Sequence, residues 1–364
     1  MMTRKEFLEQ VMKMANLKDL KQADEAARAV ISLTKIIIGP KLSKKIAEVS
    51  PPDLREGWEA IKPAYPKKPI KIITCPGGED ADIRQLAPSL QKYLGVEVVV
   101  ENIVGFWGKI LFEKFQTTEP DGYTLISYTF PRSIIVENIG ETHFRTRDLT
   151  PIFAWSAGNQ LLVVSPETYK NFDQFLKEAK SKILKGAISV RGGISHLSGL
   201  LFAEGLGIQV NWVSYGGLAS SIAALIRKEV DFMICLAGAL PSWIKAGKIK
   251  ILATLPDRFG VQSPYFQNIE NLRALGYDIP TITVRHVLEA PPNTPSHIIT
   301  VLEEALKNAI REPSYIEWAK KNYVIIDPLG AQALSQEIND AYPKIEKIKE
   351  RLKEEGPDKD QAGR

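Results

Sequence analysis

The chain has 364 residues, room for two or three domains at about 100 to 200 residues each. Its 44% hydrophobic and 25% charged shares are those of a folded globular chain and exclude disordered and fibrous classes. With 47 Lys and Arg against 43 Asp and Glu, the net charge of +4 gives no reason to expect nucleic acid. Cys75 and Cys235 cannot build a disulfide framework and form no Cys-x-x-Cys pair. His143, His196, His286 and His297 lack the close spacing of a zinc site, so neither metal nor cofactor is expected.

At the N-terminus, TRKEFLEQVMKMANL places Phe7, Leu8, Val11 and Met14 at helical spacing behind a Thr3 to Glu6 capping pair. Glu6, Glu9 and Lys13 break any apolar core of a secretory signal, and the run ISLTKIIIG is too short to span a bilayer. A cytoplasmic chain is therefore the first expectation. ADEAARAVISLTKIII reads as a second helix that Gly39-Pro40 ends, and LSKKIAEV as a third that stops before Pro51-Pro52. Residues 1–60 thus form a small all-α module. Pro63, Pro66 and Pro69 mark residues 61–69 as a semi-rigid joint.

Beyond the joint the texture changes to short β runs separated by helical ones. IKIIT, VEVVVEN and YTLISYT alternate with ADIRQLAPSLQKYLG and WGKILFEKFQT, and the pattern restarts at QLLVVS. AISV, VNWVSY, VDFMIC and KILATL follow, separated by helical stretches. Such alternation implies βαβ units and a mainly parallel sheet in each of two α/β lobes. The expected division is 70–164 with 288–352 for lobe 1 and 165–287 for lobe 2, leaving 353–364 as a polar tail. From Thr294 onward the chain reads as helical, through TPSHIITVLEEALKNAIRE and ALSQEINDAYPKIEKIKERLKEE.

Several segments in this order resemble the Bug-type solute-binding receptors of tripartite tricarboxylate transporters. YPKKPIKIIT, VEVVVENIVGFWG, EPDGYTLI, ISVRGGISHLSG, WVSYGGLASSIAALIRKEVDFMI, KAGKIKILAT and APPNTPSHIITVLEEAL carry the likeness over residues 65–350. The first 60 residues resemble a small helical bacterial domain of unassigned function. The receptor likeness implies a two-lobed α/β fold of the type II periplasmic binding protein kind, closing on a small carboxylated solute.

Free backbone N–H groups at helix N-termini hold carboxylates, and glycine turns let the backbone approach. Gly77 and Gly78 in CPGGEDAD, and Gly192 and Gly193 in SVRGGISH, supply one such turn per lobe; ordinary turns are the rival reading. The likeness places a ligand-orienting carboxylate on Asp80, with Asp82 as its rival because the first turn is short. Arg191 stands where the family commonly has Gly-x-Gly-Ser and would offer a bidentate contact. His196 contacts ligand or caps its helix; Tyr215 and Gly216 line the cleft or pack the sheet edge. Phe106 and Trp107 narrow the pocket or act as a lid. Thr129 and Arg132 follow a strand at its carboxyl end, where ligands favour open α/β sheets. Arg285, beside His286, presents a cation to the cleft near the lobe crossing, unless it is a solvated surface residue. Asp231 is read as structural.

The leading expectation is a monomeric receptor for a small mono-, di- or tricarboxylate or aromatic acid, partnered by membrane transporter subunits. The family works in the periplasm, which is the alternative location. A cytosolic carboxylate sensor using the helical module to contact a partner is the second reading. An enzyme is disfavoured: no nucleophile elbow, P-loop or dinucleotide fingerprint is present, and Cys75 is the one plausible nucleophile.

Overall fold

The computed structural model describes residues 2–60, 65–75, 80–103, 108–139, 142–158, 160–256 and 265–354. Gly77, Gly78, Phe106 and Trp107 lie outside them. The N-terminal module consists of α1 (Arg4–Met14), α2 (Leu20–Val49) and α3 (Pro52–Ala60). α1 carries the expected capping box, with the Thr3 side chain accepting from the Glu6 N–H and Glu6 accepting from the Thr3 N–H at 2.7 Å. The expected break at Gly39-Pro40 does not occur, since α2 runs unbroken for 30 residues. One missing backbone donor costs less than the helix gains by packing along two helices of lobe 1, described below.

Lobe 1 is a six-stranded sheet in the order β11-β4-β10-β3-β1-β2. Its strands are β1 (Ile70–Thr74), β2 (Val98–Asn102), β3 (Thr124–Phe130), β4 (Thr150–Gly158), β10 (Val284–Ala290) and β11 (Ile325–Gly330). Lobe 2 is a five-stranded sheet, β7-β6-β8-β5-β9, of β5 (Gln160–Val164), β6 (Leu184–Ile188), β7 (Val210–Ser214), β8 (Phe232–Leu236) and β9 (Lys250–Thr254). The chain crosses from one lobe to the other between β4 and β5 and again before Val284, so Gln160–Val164 belong to lobe 2 and Val284–Val287 to lobe 1, contrary to the expected division. Nor are the sheets mainly parallel. Among the described residues β1 pairs in parallel with β2 and β3, and β6 with β7 and β8, whereas β4, β5, β9, β10 and β11 pair antiparallel. The crossing strands enter each sheet from the opposite end, which reverses them.

Helices α4 (Asp80–Leu94), α5 (Lys109–Gln116) and α6 (Arg132–Ile139) serve lobe 1, and α7 (Phe172–Ser181), α8 (Ile194–Leu206), α9 (Leu218–Ile226) and α10 (Pro241–Lys245) serve lobe 2. The return to lobe 1 brings α11 (Ser296–Ala309), α12 (Pro313–Lys321), α13 (Ala331–Glu346) and α14 (Lys349–Glu354). The region read as an all-helical tail is interrupted by β11, an edge strand that tolerates Pro328 because it needs no donor on its outer side.

The sheet of lobe 1 has two apolar faces. Ile72, Leu125, Phe153, Trp155 and Leu288 pack under α4 and α11, while Ile73, Ile126, Tyr128, Phe130 and Val287 pack under α6 and α13. α2 lies against α11 and α4, so the helical module is part of lobe 1's outer layer rather than a tethered appendage. The described end of the Pro-rich joint is also anchored. Tyr65 is buried, its hydroxyl donates to the Gly122 carbonyl, and the Lys67 N–H donates to the Tyr123 hydroxyl at 2.8 Å. Gly122, at φ +78°, has no room for a side chain: a Cβ would stand 2.4 Å from Ile298 and 2.8 Å from the Tyr65 oxygen.

Candidate functional site

In lobe 1 the carboxyl ends of β1 and β3 and the starts of α4, α5 and α6 converge. β3 ends at Phe130, Pro131 turns the chain, and Arg132 opens α6 half-buried. The next residue, Ser133, is buried and donates through Oγ to the Tyr128 hydroxyl at 2.9 Å; Tyr128 donates in turn to Glu289 Oε2 at 2.8 Å. Burial pushes Glu289, fully enclosed on β10, up to about 8. Cys75 follows β1 directly. Burial pushes its thiol up despite the opposing influence of Arg132, which is the environment of an inert cysteine. Gly108 precedes α5 at φ +100°, where a Cβ would stand 3.1 Å from the Cys75 sulfur.

The two rival carboxylates have separate jobs. Asp80, at the start of α4, accepts from Arg84 Nε at 3.0 Å and Asn102 Nδ2 at 3.1 Å, joining α4 to the end of β2. Burial works to raise it, and those two bonds outweigh burial, leaving it below the ordinary carboxylate value. Asp82, two residues further on in the same turn, is 1% exposed. It accepts from the Tyr315 hydroxyl at 2.8 Å and from Ser156 Oγ at 3.1 Å, and it lies 3.0 Å from His286 Nδ1. Burial again works upward, and the His286 ring, with the Tyr315 hydroxyl and the Trp155 indole, holds the carboxyl down, so Asp82 is a buried anion.

Lobe 2 contributes the turn between β6 and α8. Gly192 sits at φ +70° and donates its N–H to His196 Nδ1 at 2.9 Å. That bond makes Nδ1 the acceptor and leaves the proton on Nε2. His196 is fully buried against Trp212, so it braces the turn from within. Gly193 is the residue before α8, where a Cβ would stand 2.8 Å from Val190 Cγ2. Arg191 donates from Nη2 to the Trp212 carbonyl at 3.1 Å. Trp212 itself lies over Gly186 and Gly199, whose hydrogens leave space for the indole. Tyr215 is half-buried at the end of β7; burial raises its phenol, and the Glu229 carboxylate adds to the rise. The exposed Gly216 beside it has φ +73°. Asp231 accepts from the Lys185 N–H at 2.7 Å and closes the turn into β8, the structural part expected of it.

Arg285 is neither a cleft residue nor a solvated one. Its side chain is fully buried, 2.6 Å from Asp327 Oδ2 and 2.8 Å from Glu337 Oε1, and Nη1 donates to the Asp327 carbonyl at 3.1 Å. Strand alternation explains the difference from expectation: Arg285, Val287 and Glu289 face α6 and α13, whereas His286 and Leu288 face α4 and α11. The residues that sequence reasoning missed, Ser156, Glu289 and Tyr315, read as ordinary members of apolar segments. Only their enclosure marks them.

The two lobes meet where Pro131 faces Leu197, Ser198 and Leu201 of α8 across a recess closed by Pro280–Ile282. Pro131, just before α6, therefore faces the second and third turns of α8 across the crossing. Among the described residues no group of three His, Cys, Asp or Glu could hold a metal ion, and no helix is long and apolar enough to cross a membrane.

Two α/β lobes, crossed twice by the chain and facing each other through turns at their strand ends, define a solute-binding protein of the periplasmic binding class. The chain belongs to the tripartite tricarboxylate transporter family receptors, whose model matches residues 83–353. A UPF0065 protein of Bordetella pertussis is 27% identical over 269 residues, spanning 71% of this chain and 82% of the relative. In fold the chain is similar to a Rhodopseudomonas palustris protein solved with adipate (TM-score 0.70, 20% identity, 79% of this chain and 98% of that one). MatC from the same organism, solved with malate, superposes with TM-score 0.68 at 19% identity over 78% of this chain and 100% of that one. The receptor reading stands over the sensor alternative, and the expected cytoplasmic location finds no support from the family.

Proposed function

We propose that this receptor captures a small carboxylate between its lobes, outside the cytoplasmic membrane, as a monomer, and hands it to membrane subunits of a tripartite transporter. The observation that carries the reading is the Gly192–Gly193 turn, held open by the buried His196 and placed at the start of α8. A helix start of this kind offers unpaired N–H groups and a favourable dipole to an anion. In this reading Arg191, Gly192 and Gly193 with Tyr215 and Gly216 form the lobe 2 wall, and Thr129, Arg132 and Asp80 the lobe 1 wall. Gly77, Gly78, Phe106 and Trp107 complete it in segments outside the described residues. The adipate and malate held by the similar folds make dicarboxylates the first compounds to try.

The test is isothermal titration with succinate, malate, adipate, citrate and benzoate, with thermal shift as a second readout. Saturable binding of at least one acid is expected; no heat and no shift with any of them would overturn the reading. Fractionation of cells tests the location, since a protein retained with the cytosol would refute an extracytoplasmic receptor.

A further inference from the structure

His286 lies on β10 beside the second crossing, and it is the member of the Arg285-His286 pair that points to the α4 face. Its Nδ1 is committed: it stands 3.0 Å from Asp82 Oδ2 and 2.9 Å from Ser156 Oγ, with the ring stacked on Trp155. Because Asp82 is a buried anion, Nδ1 carries a proton and donates to it. Nε2 has no partner among the described residues, and the side chain keeps 19% of its surface exposed.

A second, independent observation lies on the same face. Thr129 is directly opposite His286 in the β3–β10 ladder, and its Oγ1 is buried without a hydrogen-bond partner among the described residues. Thr74 and Ser127, paired across β1 and β3, also carry buried hydroxyls with no partner among the described residues. Alternation from Ile72 and Leu125 puts all three on the α4 side of the sheet. Buried polar atoms are nearly always paired, so hydroxyls of this kind beside the imidazole Nε2 make a surface suited to a polar group.

We propose that His286 and Thr129 form a lobe 1 subsite that takes one carboxylate of the ligand, and that the imidazole binds it as imidazolium, so that capture is proton-coupled. This rests on the reading of the chain as a carboxylate receptor. With Nδ1–H fixed on Asp82, a neutral ring offers a lone pair at Nε2, which repels a carboxylate. Protonation from solvent turns Nε2 into a charged donor while the Asp82 anion offsets the added charge. One proton is taken up for each ligand bound wherever the free receptor's ring is neutral, and none where it is already charged. Among the described residues, the titratable groups on this side of the ring are Asp82 from α4 and, bonded to its other oxygen, Tyr315 from α12, with Ser156 and Trp155 from β4 and Thr129 from β3 beside them. Arg285 leaves through the opposite face to Asp327 and Glu337.

The experiment takes the carboxylate found to bind the full-length protein, and repeats calorimetry from about pH 6 to about pH 9 in buffers of different ionisation enthalpy. For the unmodified protein, proton uptake per ligand should rise toward one at the alkaline end, with affinity falling about tenfold per pH unit there. His286→Gln should weaken binding about tenfold and remove both the uptake and the pH slope. Thr129→Val, which deletes a hydroxyl that holds nothing in the protein, should weaken binding about fivefold with no loss in melting temperature. Equal proton uptake in His286→Gln, or affinity within twofold of the unmodified protein in both variants, would overturn the subsite. If the unmodified protein binds no carboxylate at all, it is the receptor reading that fails.

Discussion

Glu289 is a carboxyl with no exposed surface, one oxygen held by Tyr128 and the other, Oε1, without a partner. Its ordinary value of 4.5 is pushed up to about 8 by burial, only partly opposed by the Tyr128 bond. A carboxyl raised in the folded state favours folding in acid and loses that contribution as the pH climbs from the unfolded value to the folded one. The gap, at about 1.4 kcal/mol for each tenfold change in proton activity, corresponds to about 5 kcal/mol lost between about pH 4.5 and pH 8, of which about 3 kcal/mol is gone by pH 7. Glu289→Gln keeps the shape and an acceptor for Tyr128 and removes the ionisation. Urea unfolding at several pH values should then find the two proteins within about 1 kcal/mol at pH 5, with the variant ahead by about 3 kcal/mol at pH 7 and further at pH 9. Parallel pH profiles, or a variant weaker than the parent at pH 9, would refute the reasoning. Ser133→Ala in the unmodified background separates the hydroxyl chain from the charge, because it removes the bond to Tyr128 and leaves the pH slope of Glu289 in place.

Replacing Arg285 by Met leaves Asp327 and Glu337 facing a space without its cation, and an unfolding free energy lower by about 3 kcal/mol is expected from denaturant titration; a change under about 1 kcal/mol would count against a paired, enclosed guanidinium. Gly199→Ala sets a Cβ 2.4 Å from the Trp212 ring. The overpacking, about 1 to 3 kcal/mol, should exceed the helix propensity gained, and Trp212→Phe in the same chain should restore part of the loss of melting temperature. Burial pushes Cys75 up and Cys235 up to about 12, so neither thiol should react with iodoacetamide in the native protein near neutral pH. Both should be alkylated in urea, and rapid native labelling of Cys75 would reopen the case for an activated nucleophile.

β1, β2 and β3 of lobe 1 and all five strands of lobe 2 were legible because they are short apolar runs between helical ones, and the receptor likeness added their order. What was hidden has physical causes. The period of a strand says that Arg285 and His286 point to opposite faces but not which of them meets α4; only the fold of the return chain decides it. Gly39-Pro40 carried a strong local stop signal that tertiary packing of α2 overrode. β11 was masked by Pro328, which an edge strand accommodates. β4 and β10, next to the crossings, were not read as strands at all, because no helical run separates β4 from β5 and a long irregular stretch precedes β10, so the lobe boundaries fell a few residues from the real crossings. In the site, the glycine turns announced themselves through composition, whereas the Asp82–His286–Ser156–Tyr315 group joins α4, β10, β4 and α12 and has no signature in any one segment.

The packing of α2 along α11 and α4 has a consequence for measuring closure. A probe on α2 rides with lobe 1 while standing on the side of the helix away from both sheets. Val30, 63% exposed near the middle of that helix, is such a position. Paired with a second probe on an exposed lobe 2 residue such as Ile183, 62% exposed just before β6, it turns opening and closing into a single distance readable by energy transfer, with no label placed at the ligand. The helical module thus supplies a fixed external reference frame for the motion of the other lobe.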